Sequence, residues 1–240
     1  MRVPAPFCIV REMRIEVIRR LNRRARPTRH KIAAGWYSLL GRRDEAAVSL
    51  SRIVKGMFTS DETRLLYRTV RELVGEGDIA EIGSWMGRTS IAMGLALRDT
   101  RGADRRIYAI DPHEGSDGLE VRIAQHGSTL PIFRRNIADA GLDGVVEPLV
   151  MRSVEGAKEL AKRGVRLRMA FIDGAHDEAS VREDIASFLP LMQSRGVMAF
   201  HDCAVAGGFP GVWRAYAAVL EPHVEVLGRA DSLLVTRLRS

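Results

Sequence analysis

Residues 80–90 read AEIGSWMGRTS, and the fold turns on how this stretch is divided. The short apolar run Ile79–Ile82 predicts a buried β-strand. Gly83 and Gly87 permit a tight turn, and Ser90–Arg98 carries a helix. Strand, glycine turn and helix form the first half of a βαβ unit. The helix N-terminal amides beyond such a turn can face a ligand.

The composition of the turn narrows that ligand. A dinucleotide site places a glycine where the pyrophosphate touches backbone, but Trp85 stands there. Glu81, just before the turn, also disfavours phosphate. Asp111 ends the next strand in YAIDP (108–112), where a carboxylate can hold the two hydroxyls of a ribose. Glu81, Gly83, Ser84, Gly87 and Asp111 therefore predict a site for an adenosyl ligand that carries a cation instead of phosphates. Trp85 speaks against a nicotinamide reductase.

Outward from this unit the pattern repeats. Thr59-Ser60-Asp61-Glu62 is a capping box and opens a helix through Leu73. After the first unit come strand Ile107–Ile110, a helix around 131–140, strand Val145–Val150 and helix Val154–Arg163. Strand Met169–Ile172, a helix through Leu189, strand Val197–Phe200 and a helix near Val212–Leu220 complete the alternation. Strands alternating with helices give a parallel sheet covered on both faces. Val224–Leu227 and Leu233–Thr236 are too close for a crossover helix, so they pair antiparallel. The fold class is α/β, Rossmann-like.

The 240 residues suit one α/β domain preceded by a short segment, residues 1–56. Net charge is +7, but residues 1–41 hold nine Arg and one Lys against two Glu, so the remainder sums to −1. Ile9, Val10, Met13, Val17, Ile18 and Leu21 form an apolar helical stripe among those arginines, and Pro27 is expected to end it. Such a helix can lie on an anionic membrane or a nucleic acid. Docking on the domain as a lid, or on a partner subunit in a homo-oligomer, is the preferred reading. No run reaches the ~20 apolar residues needed to cross a bilayer, and no secretory signal is legible. Cys8 and Cys203 form no framework, which suits a reducing cytoplasm.

A second charged stretch follows the strand Met169–Ile172: DGAHD, residues 173–177. His201 and Asp202 end the following strand. Neighbouring strands lie ~4.8 Å apart, so Asp173 and Asp202 must repel unless a proton or a cation sits between them. A divalent metal on Asp173, His201 and Asp202 is the economical reading, Mg²⁺ for oxygen ligands and Mn²⁺ if the imidazole joins.

Together EIGSWMGRTS, YAIDP, FIDGAH and GVMAFHDC resemble class I S-adenosylmethionine-dependent methyltransferases, nearest the macrocin and mycinamicin sugar O-methyltransferases. The resemblance spans residues 57–240. It implies a seven-stranded sheet with an antiparallel last strand, with Glu81 and Gly83 beside the methionine part and Asp111 on ribose. It also implies Ser153 near adenine, although a serine there equally suits a helix N-cap. The Asp-x-x-His pattern implies Asp173 as a metal ligand beside the cofactor and His176 as general base. Several relatives carry two acidic residues where this chain has His201–Asp202. The expected activity is O-methylation of a hydroxyl on a small molecule or glycan, metal-dependent. Nucleic-acid methylation and non-catalytic adenosyl binding are the alternatives. The loop at 113–130 is expected to form part of an acceptor lid.

Overall fold

The computed structural model describes residues 27–100, 104–115, 127–204 and 209–239. The first 26 residues, with their apolar stripe, and most of the expected acceptor lid lie outside these. The chain begins its described course with α1 (residues 27–39) and α2 (Arg43–Ser51). Pro27, expected from the sequence to end a helix, is itself helical.

From α3 (Ser60–Arg71) onward, elements alternate as the pattern requires. They are β1 (Asp78–Ile82), α4 (Arg88–Arg98), β2 (Ile107–Ile110), α5 (Leu130–Asp139), β3 (Val146–Leu149) and α6 (Ser153–Lys162). Then come β4 (Leu167–Ile172), α7 (Glu178–Phe188), β5 (Met192–Phe200), α8 (Pro210–Val219), β6 (Val224–Ala230) and β7 (Leu233–Leu238). The seven strands lie in the order β3-β2-β1-β4-β5-β7-β6. Pairing is parallel from β3 to β5 and antiparallel in β5–β7 and β6–β7.

The alternation of side chains explains why both faces are buried. Ile79, Met169 and Phe171 enter one core layer beneath α3, α4 and α5, with Leu66, Val70, Ile91 and Phe133. Ala80, Ile82, Ala170 and Ile172 enter the other, under α6, α7 and α8, with Leu160, Ile185, Phe188 and Tyr216. Among the described residues no helix is long and apolar enough to cross a membrane.

The strand order reverses between β1 and β4, and open α/β sheets bind ligands outside the carboxyl ends at such a point. The ladder continues one residue past those ends. Asp111 N–H donates to Leu149 O (3.2 Å), Gly83 N–H to Ile110 O (2.9 Å), Asp173 N–H to Ile172's neighbour Ile82 O (2.8 Å), and His201 N–H to Ile172 O (3.0 Å). Asp111, Gly83, Asp173 and His201 therefore stand in one row along the sheet edge.

Candidate active site

Gly83 is held at φ +86 in that row, and a Cβ there would sit 2.2 Å from the carbonyl oxygen of Asp173. The glycine brings the β1 turn against the β4 turn, and no other residue type fits. The amides beyond it, Ser84 and Trp85, both donate to Asp111 Oδ2 (3.0 and 2.7 Å), and His113 N–H donates to Oδ1 (2.6 Å). Three backbone donors thus fix the Asp111 carboxylate. Oδ1, with one donor, keeps a lone pair for a ribose hydroxyl, while both lone pairs of Oδ2 are engaged by the turn. Ser84 Oγ and Trp85 Nε1 are buried with no hydrogen-bond partner among the described residues. Orphaned polar atoms in a loop at the ligand-binding edge fit a polar ligand.

Glu81 lies beneath this turn and does not line it. Its side chain is fully buried and accepts hydrogen bonds from the hydroxyls of Thr89 and Ser90 on α4. Burial pushes its carboxyl up to about 8, against those two hydroxyls, and the nearby Asp173 and Asp111 add to the rise. Gly87, at φ +87, is the N-cap of α4 and packs on Phe133. Ser153 is not a helix cap. Arg152 holds the N-cap position of α6, and the Ser153 hydroxyl bonds to the buried Asp184 of α7, whose carboxyl burial raises to about 6.

At the ends of β4 and β5 the charged side chains meet. His201 Nδ1 hydrogen-bonds to Asp173 Oδ1 (3.0 Å) and lies 3.2 Å from Asp202 Oδ2. Its other nitrogen, Nε2, lies 3.4 Å from Glu62 Oε1. The ring is buried under Phe58, with centroids 4.8 Å apart. Asp202 has left-handed backbone (φ 53), which short polar residues tolerate. Its Oδ2 also meets His176 Nε2 at 3.2 Å. The result is a chain of alternating groups: His176, Asp202, His201 and then Glu62, with Asp173 alongside.

Burial alone would lower the His201 pKa, but its hydrogen bonds to the carboxylates of Asp173, Asp202 and Glu62 push it up to about 12. For Glu62, burial is outweighed by His201, Thr59 and Ser232, which hold it at about 2. Asp202 is held below the usual carboxylate range, because His176 and His201 together outweigh its burial. Burial raises Asp173, and His201 offsets part of that rise.

Glu62 was legible in the sequence only as a cap. It does cap α3: Thr59 N–H donates to Oε2 (2.8 Å), and Glu62 N–H donates to Thr59 Oγ1 (3.1 Å). Its other oxygen accepts from Ser232 N–H and Oγ in the β6–β7 turn (3.0 and 2.7 Å) and reaches His201. Two further contacts place His176, which is 35% exposed. Phe209 stacks on its ring (centroids 4.2 Å, 30°). Gly211, at the start of α8, approaches so closely that a Cβ would lie 2.4 Å from His176 O.

The sequence profile of a family described as "Methyltransferase domain" matches residues 80–203, which include the glycine turn, Asp111, His176, His201 and Asp202. The chain belongs to this methyltransferase family. The methyltransferase resembles several solved structures along most of its length. The O-methyltransferase NovP aligns at 20% identity over 88% of this chain and 96% of its own, with a TM-score of 0.61. An O-methyltransferase from Bacillus cereus in complex with SAH aligns at 17% over 82% and 90%, with a TM-score of 0.59. TomG from Streptomyces achromogenes, in complex with SAM, aligns at 16% over 88% and 96%, with a TM-score of 0.58. At such identities the likeness carries the fold, and the methyltransferase has the Rossmann-like fold read from its motifs.

Proposed function

We propose that this methyltransferase transfers the methyl group of S-adenosylmethionine to a hydroxyl of a small molecule or glycan, with His176 as general base. The observation that carries the proposal is the pairing of His176 Nε2 with Asp202 Oδ2, which follows His201 in the row of strand ends that also holds Asp111. The cofactor, when bound, supplies a methyl carbon already activated by a sulfonium. The chain's own residues then have to hold the adenosyl group and remove one proton. Asp111 is preset to accept a ribose hydroxyl through Oδ1. Glu81 holds a reserve of negative charge, because a cationic ligand nearby favours its ionised form.

With Nε2–H turned to Asp202, the lone pair of His176 is on Nδ1. That atom accepts the hydroxyl proton as the oxygen attacks, and Asp202 stabilises the imidazolium that forms. Hydroxyl chemistry also fits the loop after β4, Asp173-Gly174-Ala175-His176, better than base-amine methylation does, which favours this reading over a nucleic-acid enzyme. Residues 1–56 are proposed to serve as a lid or oligomer contact. The exposed Ile32, Trp36 and Leu39, at helical spacing on α1, with Leu40 just after it, support this.

The test is mass-spectrometric detection of methyl transfer across a panel of glycosides, phenols and RNA. Expected is S-adenosylmethionine-dependent methylation of a hydroxyl, reduced ~10²–10⁴-fold by His176→Ala. Methylation of RNA alone, or cofactor binding with a wild-type rate in His176→Ala, would reject the assignment.

A further inference from the structure

His113 follows Asp111-Pro112 after β2, and local rules fail around it. Its backbone is left-handed (φ 58), a conformation uncommon for any residue with a β-carbon. Its ring is fully buried, yet Nε2 has no hydrogen-bond partner among the described residues. The other nitrogen, Nδ1, lies 2.8 Å from Thr129 Oγ1, sixteen positions on. Thr129 holds the N-cap position of α5, where a threonine hydroxyl ordinarily accepts from the helix's own amides. It makes no such bond here and serves the ring instead. Strained backbone and broken local rules gathered at one point mark a functional constraint.

The arrangement has one product. The His113 amide donates to Asp111 Oδ1 at 2.6 Å, while the Ser84 and Trp85 amides hold Oδ2. Trp85 is left-handed as well, at φ 43, so two strained residues turn their N–H groups to the same carboxylate. Thr129 N–H returns to His113 O at 3.1 Å, which ties the histidine to α5 through both backbone and ring. Phe133 of α5 packs against that ring (centroids 5.3 Å), and a Cβ at Gly87 would meet the same phenyl ring at 3.1 Å. Helix α5 thereby supports both sides of the cradle, His113 through Thr129 and the end of the glycine turn through Phe133. Core filling would explain the Phe133 contact. It would not explain the hydroxyl withdrawn from the cap, nor the left-handed backbone.

We propose that His113 is a positioning residue for the cofactor: clamped by Thr129, it keeps its amide on Asp111 Oδ1 and so sets the direction in which that oxygen accepts a ribose hydroxyl. The free lone pair of Oδ1 has a fixed direction only while the amide stays in place. Without the clamp, His113 relaxes towards ordinary backbone and Oδ1 turns off the hydroxyl, while the ligand keeps its other contacts. The inference rests on the reading of the crevice as an S-adenosylmethionine site.

The test is calorimetric binding of S-adenosylhomocysteine and its 2′-deoxy and 3′-deoxy ribose analogues to the full chain and two variants. The wild type is expected to bind one deoxy analogue at least ~10-fold more weakly, the worth of a hydrogen bond to a charged group. Thr129→Val removes the hydroxyl at nearly constant shape, and this penalty should shrink to about threefold or less. His113→Asn tolerates left-handed backbone and can bond Thr129 through its side-chain amide, so it should keep the penalty. A merely structural role would weaken all three ligands alike and leave their ratios unchanged. An undiminished penalty in Thr129→Val overturns the proposal. Failure of the wild type to bind any of the three rejects the cofactor reading, and this inference with it. If Thr129→Val does not fold, hydrogen exchange of the ligand-free wild type decides. A His113 amide protected like those of β2 supports the proposal, and one exchanging at the rate of an unfolded chain overturns it.

Discussion

The two halves of the crevice are built from different materials. At the ends of β1 and β2 the site is backbone: three amides fix Asp111, and Gly83 is locked against the Asp173 carbonyl. At the ends of β4 and β5 it is a charged network of side chains, in which both nitrogens of His201 and Nε2 of His176 have carboxylate partners. The first half is suited to grip a ligand of fixed shape. The second is suited to hold and move a proton. Damage to one half should therefore leave the other's function measurable.

The largest separation is expected from His176→Ala. It should cost ~10²–10⁴ in turnover, about 3–5 kcal/mol of barrier, with cofactor affinity unchanged in calorimetry. A parallel loss of affinity would show the two halves to be one unit. Next is Glu62→Ala, which removes a buried carboxylate from His201 and unmakes the cap of α3. Urea denaturation should record a loss of about 3–5 kcal/mol, the usual cost of breaking a buried pair. A loss under 1 kcal/mol would make Glu62 a cap and nothing more. In the other half, Gly83→Ala should cost about 2–4 kcal/mol through overpacking and left-handed strain. It should abolish cofactor binding as the Asp111 cradle shifts.

How the halves appeared in the sequence follows from the same contrast. The glycine turn and Asp111 were legible because each lies within a few residues of a strand end, where local pattern suffices. The capping box at Thr59–Glu62 was legible for the same reason. That Glu62 also serves His201 was not, because the contact is made only when α3 packs beside β5 and the β6–β7 turn. Ser153 reads as a cap, yet its hydroxyl goes to Asp184, thirty-one positions later. Asp173 and Asp202 do meet at the strand ends, with the His201 ring between them, but that ring's third partner, Glu62, comes from a distant helix and was not legible. β5 starts at Met192, earlier than its apolar run. Gln193-Ser194-Arg195-Gly196 resembles a turn, and Arg195 has φ 55 beside a register shift.

Smaller effects sharpen the comparison through pH. Glu62 is held at about 2 against an ordinary 4.5, so its stabilisation is present above pH 4.5 and is lost as pH falls through about 2. Glu81 is raised to about 8, so its contribution is present below pH 4.5 and is lost as pH rises through about 8. Melting of the ligand-free protein should therefore weaken at both ends. Glu62→Gln should flatten the acid limb, and Glu81→Gln should flatten the limb towards pH 8. Exchange of these two effects would contradict the assignment of charge to the halves. The smallest change expected is about 1 kcal/mol for Thr59→Ala, the worth of an N-cap.

The most direct measurement is calorimetric titration of S-adenosylhomocysteine into the full chain, its His176→Ala variant and its Asp111→Ala variant. Saturable binding by the wild type and by His176→Ala, with loss in Asp111→Ala, is the predicted result. No binding by the wild type, or unchanged affinity in Asp111→Ala, would contradict a cofactor site at the ends of β1 and β2.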